Sequence, residues 1–374
     1  MTYKDSFTLD GRLRPQPGVT KTKVKWMNEA LTGVLRGDIR KTAELVEAMS
    51  TTDAVFNFAH AFNLTFIPQW EAAPRTWKRI AGTRGASDFR PVNLYTLTRK
   101  WDEGTLGDGD PAFVSPVVPE GTAYPLAYMA GEQIEGGSLL KRGFKTDFTF
   151  EAIKNDPVGF ITALPGEMRE VALDTEEYEV YSALKNSLTD DNALAAGTVP
   201  DGTKVKKDDP LSREALILAK IQLATRKVAG RQIGTRLGKL ILLVAPGQKI
   251  YADFLLNNVA LSRIDSDPLR LSVSGYNPLA DIEAVETEYF EGSQWALVPE
   301  GGKIGNRPTL ERLQLIGYEA PELRVSNATG SYLGGGAVSP FEGSFDNDST
   351  TFRLRQFGGA VAWTPQAFIW SPGA

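Results

Sequence analysis

The chain contains no cysteine and a single histidine, His60. The first absence excludes disulfides, thiolate metal sites and cysteine nucleophiles. The second excludes histidine-pair zinc sites and any mechanism that needs two imidazoles. No apolar run approaches the length of a membrane span, and the opening residues Met1 to Asp5 lack the apolar core of a signal peptide. The expectation is a protein made and kept in a cytoplasm, with no membrane partner. A basic excess is missing too. The formal net charge is -5, which argues against a general nucleic-acid binder.

What is present is an ordinary globular composition, 42% hydrophobic and 23% charged over 374 residues, with a mean hydropathy of -0.22. That length can bury one large core or two modest ones. The 36 glycines and 22 prolines fall between elements more than in one linker. This pattern describes a single folded unit with long excursions.

Residues 1–50 are polar and mildly basic, interrupted at Pro15 and Pro17, with one credible helix in which Asp38 caps a face of Ile39, Ala43 and Val46. The aromatic stretch Phe56, Phe58, Phe62, Phe66, Trp70, Trp77 and Phe89 reads as core. A glycine- and proline-rich excursion follows from residue 96 to about 143, and an isolated ribbon of that kind needs something to lie on. Its apolar residues Phe113, Val117, Val118 and Tyr124 lack cover, which marks them as candidate intersubunit contacts.

Phe144 to Glu151 alternates as a half-buried strand, with Phe144, Thr146, Phe148 and Phe150 on one side. Asn155-Asp156-Pro157 then starts a helix that runs to about Leu188, interrupted or kinked at Pro165, with Met168, Val171, Ala172, Tyr178 and Tyr181 as its apolar side. Ser212 caps a further helix with a predicted stripe of Ile217, Ile221, Ala224 and Val228. Leu240 to Ala245, closed by Pro246-Gly247, is the continuous apolar run of a fully buried strand, and a short helix around Ile250, Phe254 and Leu255 follows. Strands are predicted at Trp295–Pro299, Leu310–Ile316 and Phe352–Arg355, with a Gly/Ser/Asn-rich insert at about 326–350.

The search for chemistry returns nothing. Gly234 to Lys239 resembles a phosphate loop, but it is one residue short and places Leu240 where a magnesium-binding hydroxyl belongs. Asp108-Gly109-Asp110 lacks the closing glutamate of a calcium loop. No Gly-x-Ser-x-Gly elbow exists, and His60 lies among aromatics as a core or interface residue. Glu176-Glu177 reads as a solvated helix face. No catalytic, cofactor-binding or metal-binding residue is assigned.

In element order the chain resembles the major capsid proteins of tailed bacteriophages, the Hong Kong 97-type fold, and within it the Mu-like head-protein branch. The resemblance is carried by the excursion at 96–146, the helix from Asn155-Asp156-Pro157 to Leu188, and the segment from Pro210-Leu211-Ser212 to the run ending at Pro246. Trp295–Pro299, Gly317 to Leu323, and Phe352 to Pro372 complete it. It implies an α+β fold with an N-terminal arm at 1–50, a peripheral domain at 51–95 and an extended loop at 96–146. The peripheral strand and spine helix would follow at 147–190, an axial domain at 191–281, and peripheral return strands at 282–374.

The implied function is a non-enzymatic shell subunit. It would form homo-pentamers and homo-hexamers in a virion capsid, enclosing double-stranded DNA without reading its sequence. Scaffolding and portal proteins, with decoration proteins possible, are the implied partners. A separate scaffold is expected because fifty residues are too few for a built-in one. An encapsulin-type compartment is the alternative reading, and a head-maturation hydrolase the remoter one.

Overall fold

The computed structural model describes residues 66–101, 114–149, 151–152, 160–194, 197–198, 204–205, 208–228, 231–257, 277–326, 344 and 347–373. The N-terminal arm with its Asp38 helix, Phe56, Phe58, His60, Phe62, the Asp108–Asp110 turn, Phe113, Phe150 and the Asn155–Pro157 helix start all lie outside the described residues.

In chain order the main elements are β1 (Gly82–Ala86), β2 (Asn93–Trp101), β3 (Ala127–Glu135), β4 (Leu140–Thr149) and the long helix α1 (Phe160–Ser187). Then come α2 (Arg213–Thr225), β5 (Leu240–Val244), α3 (Lys249–Asn257), β6 (Ile282–Glu286) and β7 (Trp295–Pro299). The chain ends with β8 (Leu310–Leu315), β9 (Glu322–Val325), β10 (Ser349–Ala362) and β11 (Ile369–Ser371). This is a mixed α+β fold.

Two sheets organise it. The first is built on β10, whose 14 residues pair with β4 along one edge and with β8 and β9 in succession along the other, all antiparallel. β1 joins the outer edge of β8 in parallel. The second runs in the order β6–β5–β7–β11, with β5 parallel to β6 and antiparallel to β7. Every residue of β5 is buried. Leu240, Leu242 and Val244 face one core, and Ile241 and Leu243 face another. A strand covered on both faces has no polar side to present, so its sequence is an unbroken apolar run. Because β6, β7 and β11 complete this sheet, it crosses the segment boundary expected at 281/282.

α1 is continuous over 28 residues and runs through Pro165 without a break. The missing proline N–H removes one hydrogen bond near the start of a long helix, and packing further along holds the rest. The helix closes where the Ser187 hydroxyl donates to the Leu184 carbonyl (2.7 Å) and Asn192 Nδ2 donates to the Ser187 carbonyl (2.8 Å). Met168, Ala172 and Tyr181 are buried as expected, but Val171 and Tyr178 are exposed.

Ser212 does cap α2: its Oγ accepts from the Ala215 N–H at 3.1 Å. The buried side is nevertheless Ala215, Leu216, Ala219 and Leu223, while Ile221 is exposed. Both stripes have helical spacing, and the position of the second sheet decides which is covered. In α3 the buried pair is Ala252 and Leu256, with Ile250 and Phe254 exposed. Phe89 also departs from the core expectation. It is 48% exposed and meets Phe357 edge-on at 5.5 Å.

β2 and β3 form a hairpin that, among the described residues, joins neither sheet. Its base is anchored by a small cluster in which Leu94 and Leu139 meet Leu313, Val361 and Trp363. Gly136 is the tightest point of that anchor. A Cβ there would lie 2.3 Å from the Val92 carbonyl oxygen and 2.4 Å from the Trp363 ring. Neither can retreat, since one is backbone and the other a buried indole. Gly136→Ala is therefore expected to cost about 1–3 kcal/mol, measured as a fall in the thermal midpoint. An unchanged midpoint would mean that the hairpin base is not held in this way.

Candidate intersubunit surface

Of the four residues singled out as contacts, Phe113 lies outside the described residues. The structure places the other three on one segment, 114–126. Val117 is 87% and Tyr124 is 88% exposed, and Val118 is half-buried. Val114 and Leu126, which sequence reasoning did not single out, are exposed beside them. None of the four buried clusters takes a residue from this segment. Together these side chains make one exposed apolar stretch on the subunit.

The segment is not shapeless. At its apex the Thr122 backbone N–H and hydroxyl both donate to the Pro119 carbonyl oxygen, at 3.2 and 2.7 Å. Gly121 supplies the positive φ of 79° that the third position of such a turn demands. Pro116, Pro119 and Pro125 further restrict the backbone freedom of this segment.

A second feature, on the long helix, was placed wrongly by the sequence reading. Glu176 and Glu179 are not solvated: they are 1% and 5% exposed. They stand three residues apart, hence on one face of α1, and they hold a line of arginines from three other segments. Arg75 Nε donates to Glu176 Oε2 at 2.7 Å, and the Trp77 indole N–H donates to the same oxygen at 3.3 Å. Arg312, from β8, lies between the two acids, 3.5 Å from Glu176 and 3.6 Å from Glu179. Arg142, from β4, donates to Glu179 at 3.1 Å. Stacking adds to this, with the Arg75 guanidinium 4.3 Å from the Trp70 ring centre and that of Arg312 5.4 Å from Trp77.

Glu177, next to Glu176, is also engaged. Its carboxylate accepts from the Thr76 N–H and hydroxyl and from the Trp77 N–H, closing the start of the short helix at Trp77–Arg79. Burial raises the pKa of Glu177 in spite of those hydrogen bonds. Burial likewise raises Glu179, against the opposing charges of Arg312 and Arg142. Tyr181, one turn on, is pushed up to about 12 by burial. The joint is incompletely satisfied: among the described residues Glu179 Oε2 and Arg312 Nε and Nη1 have no hydrogen-bond partner. A sequence signal for it did exist. Met168, Ala172, Glu176, Val180 and Leu184 recur every four residues, and four of the five are apolar, so the fifth shares their buried stripe.

Chemically the joint is a buried charged clamp. It ties the long helix to the first sheet and to the segment around Arg75 and Trp77. Among the described residues no group of three or more His, Asp or Glu side chains is placed to hold a metal ion. Among them, too, no helix is long and apolar enough to cross a membrane.

Comparison with known proteins gives the following. A family model described as phage capsid protein matches residues 131–371. No curated protein matches the chain. Among solved structures, one from Gordonia phage Cozz is similar at 15% identity, covering 79% of this chain and 84% of its own, with a TM-score of 0.41. The virus-like particle from Pyrococcus furiosus is similar at 10% identity over 83% of this chain and 97% of its own, TM-score 0.40. The capsid of Myoviridae phage XM1 is similar at 11% identity over 79% and 90%, TM-score 0.41.

Proposed function

The chain belongs to the phage capsid protein family and is a capsid shell protein; from that premise we propose that it is the major head subunit of a tailed phage. In this reading copies assemble into pentamers and hexamers of the Hong Kong 97 type and close an icosahedral shell around double-stranded DNA. The observation that supports it is the segment at 114–126, whose exposed apolar residues belong to none of the buried clusters among the described residues. Burying a large apolar side chain contributes about 1.5–3 kcal/mol. A few such contacts per subunit, repeated around a closed symmetric object, outweigh the cost of ordering it.

The division of labour follows the elements. Residues 1–50 act as an arm on neighbouring subunits, 96–146 as the extended loop, and α1 as the spine of a peripheral domain. The second sheet with α2 and α3 forms an axial domain. Scaffolding and portal proteins bias pentamer against hexamer and open one vertex, and decoration proteins are further candidate partners. Synthesis takes place in the host cytoplasm, and the subunit performs no catalysis.

Electron microscopy of the purified chain, alone and co-expressed with the neighbouring head genes, tests the reading. Closed angular shells of one size with those genes, and tubes, aggregates or mixed shells without them, are expected. A permanently monomeric protein under both conditions would overturn the proposal. Particles that load a co-expressed enzyme instead of DNA would favour the encapsulin-type compartment.

A further inference from the structure

β4 closes one side of the first sheet. It pairs with β10 in unbroken register, from Leu140 opposite Gly358 to Thr149 opposite Ser349, and with no other strand among the described residues. Its second edge is therefore open along 10 residues. Proteins guard such an edge with a bulge, a proline or a short strand, and β4 has none of these. Apolar side chains gather along it. Alternate residues of a strand share a face. Arg142 donates to Glu179, and Phe148 meets Phe352 edge-on at 5.9 Å, so the even-numbered residues face α1. On that face Leu140 is 49% and Phe144 is 38% exposed. α1 adds the exposed Tyr178, whose ring centre lies 5.4 Å from the Arg142 guanidinium.

The strand is complementary to itself. Residues directly opposite in an antiparallel pair point to the same face. With a two-fold axis at Phe144, Phe144 of one copy meets Phe144 of the other, Leu140 meets Phe148, and Arg142 meets Thr146. On the other face Lys141 meets Asp147 and Lys145 meets Gly143. Moving the axis one residue either way sets Lys145 against itself or Lys141 against Lys145, so charge selects the register. Lysines on an edge commonly deter pairing, but here each opposes an acid or a glycine.

We infer that β4 of one subunit pairs with β4 of a second copy in this register, continuing the first sheet across two subunits. β4 is a strand of that sheet, not of the projecting β2–β3 hairpin. The contact is isologous, using the same patch on both copies, whereas the contacts around a pentamer or hexamer are head-to-tail. The pairing therefore joins one ring to the next. That placement rests on the reading of rings and shells above, while the pairing rests on β4 alone.

Because the chain has no cysteine, introduced cysteines report the register. Oxidised Phe144→Cys should run as a linked dimer on a non-reducing denaturing gel, since opposed Cβ atoms lie about 4.5–5.5 Å apart. Leu140→Cys alone should stay monomeric, its two copies being roughly 27 Å apart at about 3.4 Å per residue. Leu140→Cys combined with Phe148→Cys should link again. Lys141→Glu and Asp147→Lys should each raise the concentration needed for shell closure about tenfold, and the two together should restore it.

Equal linkage from Leu140→Cys and Phe144→Cys would be random collision and would overturn the register. Normal shells whose Phe144→Cys chains stay monomeric after oxidation overturn the pairing and leave the shell reading intact. Dimers from Phe144→Cys with no particle from the unaltered chain uphold the pairing and sink the shell reading. Should Phe144→Cys fail to fold, the charge swap decides, and no rescue overturns the pairing. Linkage of Phe144→Cys to Val19→Cys instead of to itself would assign the edge to the N-terminal segment and also overturn it.

Discussion

Replacing Glu176 by alanine should destabilise the subunit by about 3–5 kcal/mol, the range seen when one partner of a buried ion pair is removed. The argument is one of compensation. Arg75 and Arg312 are both buried, with 2% side-chain exposure each, and Glu176 faces both. Its loss leaves two guanidinium groups out of water, and only Glu179 remains near Arg312, at 3.6 Å. The Trp77 indole N–H loses its acceptor as well.

Glu176→Gln keeps an oxygen for Arg75 and Trp77 but not the charge, so it should fall between alanine and wild type. Glu170→Ala is the control. Glu170 is on the same helix, and its ion pair with Arg169 is exposed, so its loss should cost under about 0.5 kcal/mol. Denaturant midpoints of the soluble subunit or capsomer, with the yield of soluble protein, measure all three. Equal effects at 170 and 176 would mean that the joint holds nothing.

That joint also marks the limit of what could be read from the chain. β5 was legible because burial on both faces leaves a local trace, five apolar residues ended by a turn. The α2 cap was legible because Ser212 and its helix are adjacent, and β7 and β8 because their apolar patterns are self-contained. Glu176 was misplaced because a charged side chain is surface by default. Its partner Arg75 lies 101 residues away, and no local pattern announces a pairing across that distance.

The α2 stripe failed for a related reason. Ile217 and Ile221 have the spacing of a buried face, but Ala219 and Leu223 have it too, and the second sheet is completed by strands far down the chain. The excursion was legible through what it lacks. Its flanks pair regularly as β2 and β3, while its turn-rich middle leaves Val117 and Tyr124 outside the four buried clusters. In the reading proposed above, the surface that receives them belongs to another copy of the chain, and a single sequence contains no signal for that.

Shortening the excursion should abolish closed shells while leaving the subunit folded. Trp101 and Ala127 face each other across the hairpin, so a short Gly/Ser turn can join them in place of residues 102–126 without moving either strand. The cut spares Gly136, Leu139 and the cluster under Trp363, and none of the four buried clusters draws on the described part of the removed segment. The folded subunit therefore loses little.

The shell loses Val117, Tyr124 and Leu126 at every copy. At about 1.5–3 kcal/mol for each large apolar side chain buried, that is several kcal/mol per subunit, enough to shift the critical concentration for assembly by orders of magnitude. A gentler variant, Val117→Ser with Tyr124→Ser, keeps the length of the loop and removes only its apolar contacts. It should raise the concentration needed for closure without changing the thermal midpoint of the unassembled subunit. Sedimentation and negative-stain microscopy across a concentration series distinguish capsomers from shells. Full-size shells from the shortened chain at wild-type concentration would show that the excursion does not drive closure.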